Sequence, residues 1–202
     1  GAENWPFRIP IVQKNNVWFF DTAKGKQEVL FRRIGRNETF TLGTLRSLVD
    51  AQNEYAATTH DQDSRKQYAQ KILSDEGKPN GLYWKTGAGE PASPIGPLIA
   101  KATREGYEKG ATATPFHGYY YRILTSQRKD ARGGAMSYMT DGKLTKGFAF
   151  IAYPAEYRNS GVMTFIVGKN GQVYEKDLGK DTANIAPGIT DFNPDKTWSF
   201  PE

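Results

Sequence analysis

Residues 147–179 read GFAFIAYPAEYRNSGVMTFIVGKNGQVYEKDLG and decide the fold of this 202-residue chain. Three short runs in or overlapping this stretch, Lys146–Tyr153, Val162–Val167 and Gln172–Lys176, are rich in β-branched and aromatic residues, as is typical of strands. Asn170-Gly171 separates the last two runs, and this dipeptide favours the positive φ angles of a tight hairpin turn. Consecutive hairpins build an antiparallel meander, which needs a cover on at least one face.

The residues before this stretch extend the meander. Tyr119–Ser126 and Ala135–Thr140 have the same strand composition, and Asp141-Gly142 is a second strong hairpin signal. After the last strand, residues 179–202 contain Pro and Gly punctuation and one tryptophan. We expect this tail to wrap the surface, with Trp198 as an anchor.

The first half of the chain is predicted to be helical. After an apolar lead-in at Trp18–Phe20, Asp21 or Thr22 can cap a helix that runs to about Arg33, where Gly35 and Asn37 interrupt it. A second helix is predicted over Thr41–Ala57. Its inward face recurs at three- and four-residue spacing and comprises Leu42, Leu45, Leu48, Val49, Gln52, Tyr55 and Ala56.

Shorter helices are predicted over Ser64–Leu73 and from about Pro97 to Gly106. Between them, residues 74–97 form a long stretch rich in Gly and Pro. Irregular segments of this length inside a domain are uncommon and are often functional or mobile. The sequence therefore predicts one α+β domain, with a helical half (18–106) packed on an antiparallel meander (117–178) and a wrapping tail (179–202).

The charge and the composition exclude several classes of protein. The net charge of +5 divides into +2 for residues 1–100 and +3 for the remainder, so we expect no basic arm. The densest basic cluster, Arg32, Arg33 and Arg36 near Lys24 and Lys26, is interpreted as a solvated helix face; the alternative is contact with an anion. The lack of cysteine excludes disulfides, thiol nucleophiles and cysteine-ligated metals.

Membrane and nucleic-acid classes are also disfavoured. The longest uninterrupted apolar run, Phe148–Tyr153, is far too short to span a membrane. The basic residues do not alternate with aromatic residues on one strand face, so we expect no nucleic-acid partner. Because the sequence starts at Gly1 without a hydrophobic signal region, we expect that an export segment has been removed.

Candidate binding residues cluster at the start of the first predicted strand. His117, Tyr119, Tyr121 and Arg122 lie in the run HGYYYRI. In a strand, Tyr119 and Tyr121 share one face and Arg122 lies on the other; one face is expected to enter the core, and the other could form an aromatic platform. Adjacent strands could bring Tyr153 and Glu156 next to them. The alternative for all six is an ordinary role in the core, at its rim, in a turn or in a salt bridge, and no residue is assigned as catalytic.

No metal or cofactor is expected. The chain has only two histidines, so no histidine cluster can bind zinc unless carboxylates supply the other ligands. His60-Asp61-Gln62-Asp63 lacks the Gly at the sixth position and the Glu at the twelfth that a calcium loop needs, because Lys66 and Ile72 occupy those positions. No phosphate-binding glycine motif is present.

Several linked motifs resemble a bacterial family without an assigned activity, domain of unknown function number twenty-nine fifty. The resemblance covers about Asp21 to Trp198. Its motifs are Gly81–Trp84, Ser93–Leu98, His117–Leu124, Gly147–Tyr157, Ser160–Val167 and Gly171–Gly179. Members of this family look exported, which implies a periplasmic or extracellular location, but the resemblance brings no catalytic residue. A weaker likeness in shape links a long helix followed by a meander to the globular domain of pseudopilins and type IV pilins.

Three functions follow as hypotheses. The first is a non-catalytic binding or scaffolding domain of the cell envelope, which takes an envelope protein, a peptide or a glycan. The second is a cell-wall or glycan hydrolase that uses Glu156 and a second carboxylate, with Glu90 and Glu175 as candidates. The third is a pseudopilin-like structural subunit, which should expose an apolar patch and self-associate.

Overall fold

The computed structural model describes residues 7–59, 65–86, 92–96 and 115–201. A long helix and an antiparallel sheet dominate these residues, which confirms the α+β prediction. In chain order the elements are β1 (Ile11–Lys14), β2 (Val17–Phe20), α1 (Thr22–Ala57), β3 (Tyr119–Leu124), β4 (Ser126–Gln127), β5 (Met136–Ser137), β6 (Met139–Thr140), β7 (Lys143–Leu144), β8 (Ala149–Pro154), β9 (Met163–Gly168), β10 (Val173–Asp177), α2 (Thr182–Ile185) and a 3-10 turn (Ala186–Gly188).

The main sheet is a four-stranded antiparallel meander in the order β10-β9-β8-β3. Its two faces have different covers. The face that carries Tyr119 and Tyr121 packs against α1, where the Tyr121 hydroxyl lies 3.1 Å from that of Thr41. The opposite face packs against the tail, through contacts such as the Tyr174–Phe192 ring pair. Because both faces are covered, the two central strands β8 and β9 are almost entirely buried.

The hairpin turns follow the sequence signals with one difference. Asp141 and Gly142 both have positive φ between β6 and β7, as a two-residue turn of this kind requires. In the β9–β10 connection only Gly171 has positive φ, and its amide donates to the Gly168 carbonyl at 2.9 Å. This connection is therefore a longer hairpin loop closed by a left-handed glycine.

The helical prediction was wrong at Gly35, because α1 runs without a break from Thr22 to Ala57. Side chains next to Gly35 on the helix form hydrogen bonds with residues outside the helix. The Asn37 amide donates to the Ser160 carbonyl at 2.8 Å, and the Glu38 carboxylate accepts from the amides of Val162 and Met163. A helical glycine costs about 1 kcal/mol relative to alanine, and these tertiary bonds offset that cost.

The predicted helix over Ser64–Leu73 is also wrong for its described part, residues 65–73. The chain there is extended: Tyr68 pairs with Leu144, and Leu73 pairs with Tyr83. The buried Gln52 side chain bonds the backbone of Ala69, which stabilises the extended conformation. The predicted helix at Pro97–Gly106 lies outside the described residues.

An N-terminal hairpin, which the sequence analysis had treated only as an apolar lead-in, precedes α1. β1 and β2 are paired antiparallel, and Asn15 and Asn16, both with positive φ, form the turn between them. The hairpin joins α1 at its base, where Ile9 packs so closely on Gly25 that a Cβ there would come within 2.9 Å of it. Val12 alone among the eight strand residues is shielded to an intermediate degree, so the hairpin stands out from the rest of the molecule.

The tail lies along the sheet. Ser199 pairs with Glu175 at the β10 edge, and Trp198 receives the Lys176 ammonium over its ring at 5.9 Å. Phe192 is the more deeply buried anchor of the two aromatic residues. Among the helices of the described ranges, none has the length and apolar character needed to cross a bilayer.

Candidate functional site

The six residues predicted to form a binding surface do not share one face. Tyr119 and Tyr121 point toward α1. Tyr119 is fully buried, and its hydroxyl donates to the Met163 carbonyl at 2.9 Å. Burial and the nearby Glu38 carboxylate raise the pKa of Tyr119 well above its usual range. This residue is part of the core between the helix and the sheet.

Arg122 and Tyr153 lie on the opposite face, toward the tail. The Arg122 guanidinium donates through Nη2 to the carbonyls of Ala186, Pro187 and Ile189, the last at 2.7 Å. Tyr153 packs on Tyr120 with ring centroids 5.6 Å apart. Arg122 therefore secures the tail to the sheet.

His117 belongs to a tight turn at the start of β3. His117 and Gly118 both have positive φ and connect Phe116 to Tyr119. The backbone amide of each of these two flanking residues donates to the carbonyl of the other. The imidazole stacks on Phe40 of α1, with centroids 4.3 Å apart and an interplanar angle of 11°. This packing holds the β3 turn against the helix.

Glu156 lies in the turn between β8 and β9, and its side chain is exposed. Its carboxylate accepts a hydrogen bond from the Asn159 amide, and Asn159 in turn accepts from Arg33 of α1. The six residues thus occupy a core position, a tail clamp and two turns. A ligand-binding role for them stays a prediction.

A cleft of about 1050 Å³ opens instead at the C-terminal end of α1. Its walls come from the end of the helix and from the Gly- and Pro-rich stretch after residue 70. The described residues that line it are Glu54, Tyr55, Thr58, Thr59, Leu73, Ser74, Asp75, Glu76, Gly77, Lys78, Pro79, Tyr83, Trp84, Lys85, Ala92 and Pro94. Aromatic, leucine and proline side chains thus meet charges of both signs.

Two chain segments run side by side in the cleft wall, where Leu73 and Tyr83 form a parallel bridge. We call the point of their closest approach the crossing. Ser74 donates from its amide to the Tyr83 carbonyl at 2.8 Å, and Tyr83 donates to Ile72 at 2.9 Å. Gly81 lies at the crossing. A Cβ on this residue would be 2.8 Å from the Ser74 amide nitrogen, closer than real contacts allow. Only glycine fits this close approach.

The rim of the cleft is fixed by polar bonds. Lys71 Nζ contacts both carboxylate oxygens of Asp75, and the Asn80 amide donates to the same group at 2.9 Å. These bonds, that of Lys71 foremost, lower the pKa of Asp75 from its usual value. The Tyr55 hydroxyl reaches the Pro79 carbonyl at 3.3 Å, which joins the loop to the helix.

The cleft offers binding chemistry. Tyr83 and Trp84 present half-buried aromatic side chains beside the exposed Leu73, a combination that suits apolar groups of a ligand. The length and composition of residues 74–97 predicted a candidate functional loop, but no sequence pattern singled out these residues. An aromatic pair inside a Gly- and Pro-rich loop was the available signal.

No group of three or more metal-ligating side chains lies together within the part of the chain that the structure describes. His60-Asp61-Gln62-Asp63 and Glu90 fall outside that part. Of the carboxylates along the cleft, Asp75 is committed to Lys71 and Asn80.

A comparison with family models gives one match, to the family described as "Protein of unknown function (DUF2950)", over residues 1–200. The chain therefore belongs to this family. Neither the curated proteins nor the solved structures contain a match to the chain, so the likeness to pilins has no support.

Proposed function

We propose that this member of the DUF2950 family is a non-catalytic binding domain of the bacterial cell envelope that takes an extended peptide in the cleft beside Trp84. The observation that carries the proposal is the crossing at Gly81, which holds Tyr83 and Trp84 in place on an open apolar wall. A wall that is ordered before binding loses little conformational freedom when a ligand arrives.

The size and lining of the cleft favour a peptide over a small metabolite. Sites for small molecules enclose about 300–1,000 Å³ and cover most of the ligand, whereas this cleft reaches the upper end of that range and is open. Apolar side chains of a peptide fit against Leu73, Pro79 and Pro94. Basic side chains of a peptide can pair with Glu76, and acidic side chains can pair with Lys78 or Lys85, all of which line the cleft.

Binding is a better account of the site than hydrolysis. A hydrolase of the glycosidase type needs one carboxylic acid with a raised pKa next to an ionised partner. Asp75 has a lowered pKa, because Lys71 and Asn80 stabilise its charged form. Glu156 is exposed in a turn, its carboxylate accepts a hydrogen bond from Asn159, and it does not line the cleft.

The envelope location is part of the proposal. Its support is the resemblance of the sequence motifs to an exported bacterial family. Fractionation of cells that express the tagged full-length gene product tests it. Recovery of the protein with the cytoplasmic fraction would refute an envelope role.

The ligand proposal is tested by selecting a displayed random-peptide library on the immobilised protein. Affinities of the selected peptides are then measured for the wild type, Trp84→Ala and Trp84→Phe. We expect Trp84→Ala to weaken binding about tenfold or more, and Trp84→Phe to retain most of it, because a stacked aromatic contact contributes about 1 kcal/mol beyond its area. Trp18→Ser, on the remote N-terminal hairpin, is the matched control.

Two results would contradict the peptide ligand. A selection that yields no peptide sensitive to Trp84→Ala would remove the cleft as a peptide site. If muropeptides or other glycan fragments instead bind in a Trp84-dependent way, the ligand class is a glycan. Circular dichroism of each variant confirms that loss of binding does not come from unfolding.

A further inference from the structure

The charge excess of the whole chain is located at its N-terminal end. Residues 7–36 contain seven Lys or Arg and two Asp or Glu, a net charge of +5, which equals that of all 202 residues. The remaining residues are therefore balanced. We call the hairpin β1–β2 together with residues 7–10 and 21–36 the N-terminal face. The net charges of the two halves of the chain, +2 and +3, do not reveal this concentration of positive charge.

The same face exposes large apolar side chains. Phe7 is 71% exposed, Trp18 65% and Phe31 63%. Of the twelve large hydrophobic residues that are exposed within the described ranges, eight belong to this face: Phe7, Ile11, Val17, Trp18, Phe19, Phe20, Val29 and Phe31. Large apolar side chains that are exposed together in one part of a protein mark an interaction site.

The two kinds of side chain meet in a groove between the hairpin base and the first turns of α1. The groove has a volume of about 430 Å³. Phe7 and Phe31 supply its apolar lining, and Arg8, Lys24 and Arg32 supply cationic groups at the same place. Glu28 lines the groove as well and pairs with Arg32 at 2.6 Å, so Arg8 and Lys24 carry the excess positive charge there. Aromatic rings beside cations are the chemistry that recognises an acyl chain with a phosphate headgroup.

The hairpin itself requires a cover. Trp18 and Phe20 lie on one side of it, and Val17 and Phe19 lie on the other, yet all four are exposed. A two-stranded hairpin without further packing is marginally stable in water. It is attached at its base, where the Asp21 amide donates to the Pro10 carbonyl at 2.8 Å and Ile9 packs on Gly25.

We propose that the N-terminal face docks on an anionic membrane surface, with Trp18, Phe31 and their apolar neighbours in the headgroup region and the surrounding Lys and Arg side chains on lipid phosphates. The positive charge of the face favours an anionic membrane over a second copy of the chain as its binding partner. A symmetric dimer would bring two faces of charge +5 together, which repel each other, whereas anionic lipid attracts the face. The proposal concerns a surface remote from the cleft and does not depend on the peptide ligand.

Co-sedimentation with lipid vesicles tests the proposal. The full chain is mixed with vesicles of phosphatidylcholine alone, or of phosphatidylcholine with phosphatidylglycerol, at low and at high salt. We expect binding to the anionic vesicles only, and weaker binding at high salt, because surface attraction is screened within a Debye length.

Variants separate the two components of the surface. Lys24→Gln combined with Lys26→Gln removes two exposed cations, and each is expected to cost about fivefold in affinity. Trp18→Ser removes an exposed apolar group and is expected to cost about tenfold. The matched control, Lys129→Gln combined with Lys180→Gln, makes the same change in net charge at exposed positions outside the face and should bind as the wild type does.

Three results would overturn the proposal. The first is the absence of binding to phosphatidylglycerol vesicles. The second is binding that Trp18→Ser leaves unchanged or that the control variant weakens equally, since either would indicate non-specific attraction. The third is a dimer in lipid-free sedimentation equilibrium that Trp18→Ser dissociates, which would make a second copy the occupant. The thermal unfolding of each variant is compared with that of the wild type to verify its fold.

Discussion

The side-chain amide of Gln52 makes both backbone hydrogen bonds of Ala69. Its Nε2 donates to the Ala69 carbonyl at 2.8 Å, and its Oε1 accepts from the Ala69 amide at 2.8 Å. Gln52 is fully buried on α1, and its side chain makes the two hydrogen bonds that a neighbouring strand would otherwise make to Ala69. The interaction fixes the segment that leads into the cleft.

Replacing Gln52 with leucine should destabilise the protein strongly. Gln52→Leu leaves one buried N–H and one buried carbonyl without partners, at a cost of about 2–4 kcal/mol. At this chain length the melting temperature should fall by about 5–15 °C. Asn53→Ala, at the exposed neighbouring position, should change it little. An equal stability of Gln52→Leu and the wild type would show that the Ala69 segment does not pack on α1.

Alanine at Gly35 should stabilise the protein. Gly35 lies within α1 and has open space where a Cβ would stand, as does Gly43. Because alanine loses less backbone freedom than glycine in a helix, each substitution should add about 1 kcal/mol to the free energy of unfolding. Chemical denaturation measures it. If Gly35→Ala destabilises while Gly43→Ala stabilises, the helix is interrupted at Gly35.

Removal of the Arg122 guanidinium should loosen the tail. Arg122→Leu deletes the bonds to the carbonyls of Ala186, Pro187 and Ile189, at a cost of about 2 kcal/mol. Amide hydrogen exchange should accelerate over residues 182–192 more than in β8 and β9. Arg132→Leu, at an exposed position, serves as the control. Uniform acceleration across the sheet would mean that Arg122 stabilises the whole core.

Alkaline pH should destabilise the protein through its buried tyrosines. Burial raises the pKa of Tyr138 to about 12 and that of Tyr119 further, whereas an unfolded tyrosine titrates near pH 10. The stability that depends on their neutral forms is complete below about pH 10. It is lost as the pH rises from there, because the unfolded chain releases these protons first.

Tyr138→Phe tests this titration. The variant loses the hydrogen bond to Gln127 Oε1 at 2.8 Å and should be about 1 kcal/mol less stable at pH 7. Its stability should decline less than that of the wild type between about pH 10 and pH 12. The melting temperatures of the two proteins, measured as a function of pH, should therefore converge. Asn53→Ala, which alters an exposed position and no phenol, should keep the wild-type decline. Parallel curves for Tyr138→Phe and the wild type would contradict the assignment.

The sequence predicted those features that depend on neighbouring residues. The strand runs and the turn at Asp141-Gly142 are local, because composition and backbone preference specify them. The continuity of α1 is not local, since Gly35 is kept helical by bonds from Asn37 and Glu38 to the β8–β9 turn region. No pattern within the helix reveals partners more than a hundred residues away.

The candidate site shows the same division. Strand alternation correctly separated Tyr119 and Tyr121 from Arg122, yet it could not show that α1 and the tail cover the two faces. The long Gly- and Pro-rich loop was identified as a candidate for function from its length alone. The positions of Tyr83 and Trp84 on a cleft wall depend on the crossing at Gly81, which only the folded chain contains.

Gly81→Ala should remove the cleft wall while leaving the core intact. The added Cβ would lie 2.8 Å from the Ser74 nitrogen and 2.9 Å from the Leu73 carbonyl carbon, so the two segments must separate. Overpacking of this kind costs about 1–3 kcal/mol. The amides of Ser74 and Tyr83, which bond across the crossing, should exchange faster with solvent.

Binding supplies the second readout of Gly81→Ala. Any peptide that depends on Trp84 should bind about tenfold more weakly, a loss of about 1.4 kcal/mol, because the aromatic wall is no longer held against the helix end. Gly43→Ala, with open space at its Cβ, should not accelerate exchange at Ser74 or Tyr83 and should leave the peptide affinity unchanged. Faster exchange at Ser74 with unchanged peptide affinity would show that binding does not require an ordered wall. Unchanged exchange would refute the close crossing itself.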